Sequence, residues 1–199
     1  MNIGIVPTVR ETYKDQYEFS IDIKLVKFLK KINNKTKITF LSDNSKLNFK
    51  YDLIIFAGGN DLIKFDKSQN NLIRKKLDDI FYLKAKREKI PMLGICYGAT
   101  YFVNKFKNKI IKKKKIGNHN VIFKNNKFFK NKIKSTKVNS FKNFCIKKLD
   151  KNFEIIAQSN DDLIEAFFNS KFKFLGLMWH PERYKKFKQI DIKLVKNLL

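Results

Sequence analysis

The chain has 199 residues, 43% of them hydrophobic, and two cysteines. That supports one domain, residues 1–199, with a real core, and it excludes a disordered chain and a disulfide framework. The longest apolar runs, such as residues 53–57, are far too short to cross a bilayer, and the start Met1-Asn2-Ile3-Gly4 has no charged-then-apolar leader, so a cytoplasmic location without membrane contact is expected.

The net charge of +26 has two readings. One is a polyanion partner, either nucleic acid or a phosphate-rich substrate. The other is genome composition. Lysine dominates, arginine occurs only at Arg10, Arg74, Arg87 and Arg183, and Asn, Ile and Phe are abundant, as an AT-rich coding sequence would give. Nucleic-acid readers usually exploit the arginine fork, so nucleic acid is the less favoured partner.

Residues 2–6 read as a buried strand. Residues 18–31 read as an amphipathic helix with Ile21, Leu25, Phe28 and Leu29 on one stripe. Residues 36–41 and 52–57 read as strands, the second apolar throughout, as central parallel strands are. A helix follows at 70–88, a strand at 90–95 and a helix at 97–106. The stretch 107–137 is basic, with short β-like pieces at 120–123 and 127–129. Strands are expected at 154–158, 163–168 and 172–178, and a closing helix at 189–199. The alternation predicts an α/β fold: a doubly wound, mostly parallel sheet with helices on both faces.

The sharpest local signal is Gly94-Ile95-Cys96-Tyr97-Gly98, where an apolar strand meets a helix. A nucleophile there sits on a tight turn at the carboxyl end of the sheet, beside a helix N-terminus whose dipole favours a thiolate. Cys145, in Asn143-Phe144-Cys145-Ile146, lacks that context and reads as packing.

A thiol nucleophile needs an imidazole to move its proton, and the imidazole needs a carboxylate to fix its tautomer. Trp179-His180-Pro181-Glu182 supplies both at a strand end. The other histidine, His119, reads as a loop residue, and the spacings offer no zinc site. Ala57-Gly58-Gly59-Asn60-Asp61 ends another strand. Its paired glycines let the backbone approach an acyl group and aim an N–H at it, with the N–H of Tyr97 as second donor. Catalytic candidates are therefore Cys96, His180 and Glu182, with Gly58, Gly59 and Tyr97 at the oxyanion.

Together, Gly58-Gly59-Asn60-Asp61, Gly94-Ile95-Cys96-Tyr97-Gly98 and Trp179-His180-Pro181-Glu182 resemble the oxyanion loop, nucleophile elbow and His-Pro-Glu motif of class I glutamine amidotransferases, in that order and over nearly the whole chain. Within the family the likeness is strongest to the γ-glutamyl hydrolase branch, through Lys137-Val138-Asn139-Ser140-Phe141 and Asp162-Leu163-Ile164-Glu165-Ala166. The resemblance implies a flavodoxin-like fold, no cofactor, a small-molecule γ-glutamyl substrate, and substrate contacts near Thr100, Asn139 and Ser140. Two positions depart from it: Thr100 stands where amidotransferases often carry Gln, and Lys142 where the branch usually has His. With the sequence ending at Leu199, no synthetase domain to receive ammonia is expected. The expectation is a stand-alone hydrolase of a γ-glutamyl amide, most similar to members acting on γ-glutamyl-CDP-amidate, which yield cytidine diphosphoramidate for capsule modification. A diphosphate leaving group would give the lysines a purpose. A glutaminase subunit feeding a separate synthase, a basic nucleic-acid-binding module and a homodimeric assembly stay open.

Overall fold

The computed structural model describes residues 1–42, 50–125, 127–130 and 133–199. In chain order the strands are β1 (Asn2–Val6), β2 (Thr8–Tyr13), β3 (Gln16–Ser20), β4 (Lys37–Phe40), β5 (Leu53–Phe56), β6 (Met92–Ile95), β7 (Lys109–Phe123), β8 (Ser135–Lys148), β9 (Glu154–Ser159), β10 (Ile164–Asn169) and β11 (Phe174–Leu177). The helices are α1 (Ile23–Ile32), α2 (Gln69–Glu88), α3 (Tyr97–Lys105) and α4 (Gln189–Leu198), with a 3-10 turn at Pro181–Arg183.

Nine strands form one sheet in the order β4-β1-β5-β6-β11-β10-β8-β7-β9. The first five are parallel to their neighbours. The rest pair antiparallel, and β9 bonds both β7 and β10, so four strands close on one another. The fold is α/β, but the sheet is mixed; the expectation of a mostly parallel sheet holds for one half of it.

Apolar strands with no polar face must be covered twice. Accordingly, Ile3, Ile5, Leu53, Ile55, Leu93 and Ile95 pack with α1 and α4, while Val6, Ile54, Phe56 and Met92 pack with α2 and α3. The thin parallel strands are thus sandwiched, and their carboxyl ends converge on one edge.

Three elements differ from the sequence reading. Residues 18–20 belong to the β2–β3 hairpin, because Asp22 caps α1 by accepting from the N–H of Lys24 at 2.9 Å, and the helix cannot start earlier. Residues 127–129 are irregular, whereas 109–123 and 135–148 form two long antiparallel strands. Lys173, in the left-handed region at φ 47°, delays β11 to Phe174. Among the described residues no helix is long and apolar enough to cross a membrane.

Candidate active site

Cys96 joins β6 to α3 with φ 52° and ψ −100°, in backbone space that side chains rarely adopt. The turn is held by the Cys96 N–H donating to Leu177 O at 2.7 Å, from the next parallel strand. Its tightness explains the flanking glycines. A Cβ at Gly98 would lie 2.1 Å from Phe56 O, and one at Gly94 would lie 2.6 Å from the Gly98 carbonyl carbon. The buried thiol stands at the N-terminus of α3.

His180 follows β11 across the sheet end. Its Nδ1 lies 2.7 Å from Glu182 Oε1, both side chains being almost wholly buried. The intervening Pro181 opens the 3-10 turn that folds Glu182 back to the ring. Cys96 and the ring both stand within a side chain's distance of Gly58, and Cys96 favours the charged ring. Burial opposes charge on the ring, yet Cys96 and Glu182 outweigh it and push the imidazole up to about 9. Cys145, by contrast, lies on β8, with its Sγ donating to Lys113 O at 3.3 Å and its thiol pushed up by burial.

The loop after β5 packs directly on this pair. A Cβ at Gly58 would sit 2.9 Å from His180 Cε1 and 3.4 Å from Cys96 Cβ. Gly59 has φ 107°, a conformation suited to glycine, and Thr8 Oγ1 donates to Gly58 O at 2.5 Å. Buried Asn60 pins the loop to the hairpin: it accepts from the Val9 N–H at 2.9 Å and donates to Val9 O at 3.0 Å.

Beneath both candidate oxyanion donors lies a fully buried Arg74. It donates to Pro7 O at 2.6 Å, to Ala57 O at 2.9 Å and to Asp78 Oδ1 at 2.9 Å. Asp78 Oδ2 in turn accepts the Tyr97 hydroxyl at 2.8 Å. One side chain therefore ties the Gly58-Gly59 loop, the end of β1 and, through Asp78, Tyr97. No local signal marks this arginine along the chain, since its partners Pro7 and Ala57 are 67 and 17 residues away.

The remaining sequence candidates fall into two groups. Thr100 lines a cavity of about 150 Å³ over Cys96, together with Gly59, Asp61, Tyr97, Phe141 and Lys142. Its hydroxyl donates to Tyr97 O at 2.8 Å. Asn139 and Ser140, in contrast, turn their side chains away from that cavity. Asn139 clamps the His180 main chain, accepting from its N–H at 2.9 Å and donating to its carbonyl at 2.8 Å. Ser140 donates to Lys115 O at 2.9 Å. Lys142, like Thr100 a position at which the sequence departs from the resemblance beside the substrate, does line the cavity; sequence reasoning misses Asp61 as a cavity residue, although it stands within the Gly58-Gly59-Asn60-Asp61 motif. His119 is no loop residue: it lies on β7 with Nε2 3.1 Å from buried Glu165 Oε1. Lys142 Nζ meets the other Glu165 oxygen at 2.5 Å.

Fold and site together define an α/β protein with a thiol, an imidazole and a carboxylate assembled at the carboxyl edge of parallel strands. The chain belongs to the class-I glutamine amidotransferase family, whose model matches residues 13–194. It is 36% identical over 145 residues to a γ-glutamyl-CDP-amidate hydrolase of Campylobacter jejuni subsp. jejuni serotype O:2, a match covering 70% of this chain and 66% of that one. It is 34% identical over 106 residues to a GMP synthase (glutamine-hydrolyzing) of Wigglesworthia glossinidia brevipalpis, covering 47% of this chain and 20% of that one. The matches thus span just under two thirds of the first relative and a fifth of the second. In fold it is similar to a crystal structure of a protein from Thermoplasma acidophilum described as belonging to a GMP synthase, with TM-score 0.74 and 18% identity over 100% of this chain and 92% of that one.

Proposed function

We propose that the chain is a cysteine-dependent hydrolase of γ-glutamyl amides. The observation that carries this reading is the assembly of His180 between Glu182, at 2.7 Å, and the thiol of Cys96. In the reaction Cys96 attacks the γ-carbonyl, giving up its proton to His180. The N–H groups of Gly59 and Tyr97 hold the oxyanion, and His180 protonates the departing nitrogen. Water, deprotonated by His180, then cleaves the γ-glutamyl thioester, releasing glutamate and restoring the thiol. Glu182 fixes the tautomer and stabilises the imidazolium throughout. The ring's tendency to stay charged favours this assignment, because its positive charge stabilises negative charge on the adjacent sulphur.

The relative from Campylobacter jejuni is named for γ-glutamyl-CDP-amidate, and a nucleotide-linked amide is the leaving group we propose here. The likeness to GMP synthases supports a second reading, a glutaminase subunit that supplies ammonia to a synthase. Glutamate release from glutamine, a γ-glutamyl amine and γ-glutamyl-CDP-amidate, with Cys96→Ala as control, separates them. The expected result is efficient turnover of the nucleotide-linked amide, lowered at least ~10⁴-fold by the substitution. Turnover of glutamine alone, raised by a partner protein, would favour the second reading. Full activity in Cys96→Ser, or labelling of Cys145 in place of Cys96 by a glutamine-like chloroketone, would overturn the assignment of the nucleophile.

A further inference from the structure

In a chain with 44 basic residues and 18 acidic ones, an acid readily finds a cation beside it. The cavity over Cys96 contains one that does not. Two ionisable side chains other than Cys96 and Tyr97 line it, Asp61 and Lys142. Lys142 is already neutralised: its ammonium rests on Glu165 Oε2 at 2.5 Å, and Glu165 Oε1 faces His119 Nε2 at 3.1 Å and Lys115 Nζ at 3.8 Å. Asp61 forms no ion pair among the described residues, whereas Asp161, in the turn between β9 and β10, is met by Lys113 at 2.7 Å and Lys115 at 2.8 Å.

Asp61 has neutral neighbours. Its own N–H donates to Asn71 Oδ1 at 3.0 Å, which fixes the main chain, and Asn143 lines the same cavity and favours the charged carboxylate. Burial and the nearby Asp66 raise the carboxyl, and only Asn143 and Lys112 oppose them. A partly desolvated carboxylate facing a cavity, with no cation paired to it, is stabilised by whatever positive group enters.

We propose that Asp61 is a specificity-determining residue that binds the α-ammonium group of the acyl moiety. The proposal rests on the γ-glutamyl reading above. A γ-glutamyl group carries its ammonium on the α-carbon, two methylenes from the reacting carbonyl, so a thioester on Cys96 places that cation within the same small cavity that Asp61 lines. With the Lys142 ammonium paired to Glu165, Asp61 is the lining carboxylate left to meet that cation.

The test compares γ-glutamyl-p-nitroanilide with glutaryl-p-nitroanilide, which lacks the α-amino group, on the wild-type chain and on Asp61→Asn. A site built to bond a polar group rejects the analogue lacking it, because its own group is left unpaired. The wild type is expected to prefer the γ-glutamyl anilide by about 10²-fold or more in kcat/KM. In Asp61→Asn that preference should collapse to near unity through loss on the γ-glutamyl substrate alone, while hydrolysis of the glutaryl anilide and alkylation of Cys96 by chloroacetamide stay at the wild-type rate. An equal loss on both anilides, with slowed alkylation, would make Asp61 a structural residue and overturn the proposal, as would a preference unchanged by the substitution. Asp61→Ser provides a second variant with the same expectation should the Asn form not fold. If the wild type cleaves neither anilide nor any other γ-glutamyl amide, the γ-glutamyl reading itself falls and the proposal with it; cleavage of both at equal rates overturns the proposal alone.

Discussion

The two halves of the sheet solve different problems. The parallel half, β4-β1-β5-β6-β11, carries the Cys96 turn, the Gly58-Gly59 loop and the His180 strand end. Its β5, β6 and β11 are four residues long and buried at every position, so hydrophobic burial on two faces fixes them. The antiparallel half, β10-β8-β7-β9, is built on long, lysine-rich strands whose exposed residues greatly outnumber the buried ones in β7. It is held by an extended backbone ladder with β8 and by polar groups placed inside: Asn139, Ser140, Lys142 and Glu165. The parallel half presents reactive groups; the antiparallel half supports them from behind. The difference teaches how charge can be buried: Glu165 in the antiparallel half and Asp191 beside the parallel half are both buried, and their carboxyls are pushed in opposite directions.

Glu165, in β10, has its acid range lowered although burial opposes this, because His119 and Lys142 favour the charged form. Breaking such a pair on one side leaves an uncompensated charge. Glu165→Gln, which strands the buried Lys142 ammonium, should lower unfolding free energy by about 3–5 kcal/mol at pH 7. Urea denaturation would show it. Adding Lys142→Met should recover most of the loss, since removing both charges together is close to neutral. A small effect of the single change would mean that the antiparallel half does not depend on its interior charges.

The same contrast explains what can be read from sequence. The triad candidates Cys96, His180 and Glu182 are legible because each motif is local: an elbow needs its own glycines, and Glu182 reaches His180 across two residues. The apolar strands are legible by their continuity. β8 is not, because Lys142 and Asn139 occupy buried positions where a strand pattern calls for apolar residues. Their partners lie 23 and 41 residues away, so no window along the chain can reveal them. β7 is hidden for the opposite reason: the consecutive lysines at 112–115 read as a solvated loop, and only the pairing with β8 makes them a strand. The roles expected of Asn139 and Ser140 come with the resemblance, and the structure turns both side chains toward the backbone of neighbouring segments.

Asn139 is the point at which the antiparallel half reaches the chemistry. Asn139→Ala removes both hydrogen bonds to the His180 main chain, while leaving Cys96, Glu182 and the cavity walls in place. Misplacing a reacting group by about an ångström can cost about 10²-fold in rate. A loss of that order in kcat, with KM little changed, is expected. Asn139→Asp, which keeps the acceptor for the His180 N–H and loses the donor, should fall between the wild type and the alanine variant. An unchanged kcat in the alanine variant would confine the catalytic apparatus to the parallel half.

The smallest effect concerns a buried carboxylate without a buried cation. Asp191, in the first turn of α4 on the parallel half, accepts the Trp179 indole N–H at 3.0 Å through Oδ1, beside the histidine's own strand end. Unlike Glu165 it has no buried cation, and burial pushes its carboxyl up to about 7. The folded state therefore holds this proton more tightly than the unfolded chain, whose Asp titrates near the ordinary value of about 4. The stability this brings is fully present below pH ~4 and is lost as pH rises through about 7. Asp191→Asn can keep the acceptor for Trp179 and can never ionise. Its gain over the wild type should be absent near pH 4, grow up to pH ~7 and level off near 2–4 kcal/mol above it. Thermal melts at pH 5 and pH 8 measure this directly. Because Glu165→Gln should destabilise at pH 8 while Asp191→Asn stabilises, the two neutral amides set side by side test whether pairing, rather than depth, decides where a buried charge is tolerated. Destabilisation by both would mean that Asp191 gains from its carboxylate in a way that its lone indole partner does not explain.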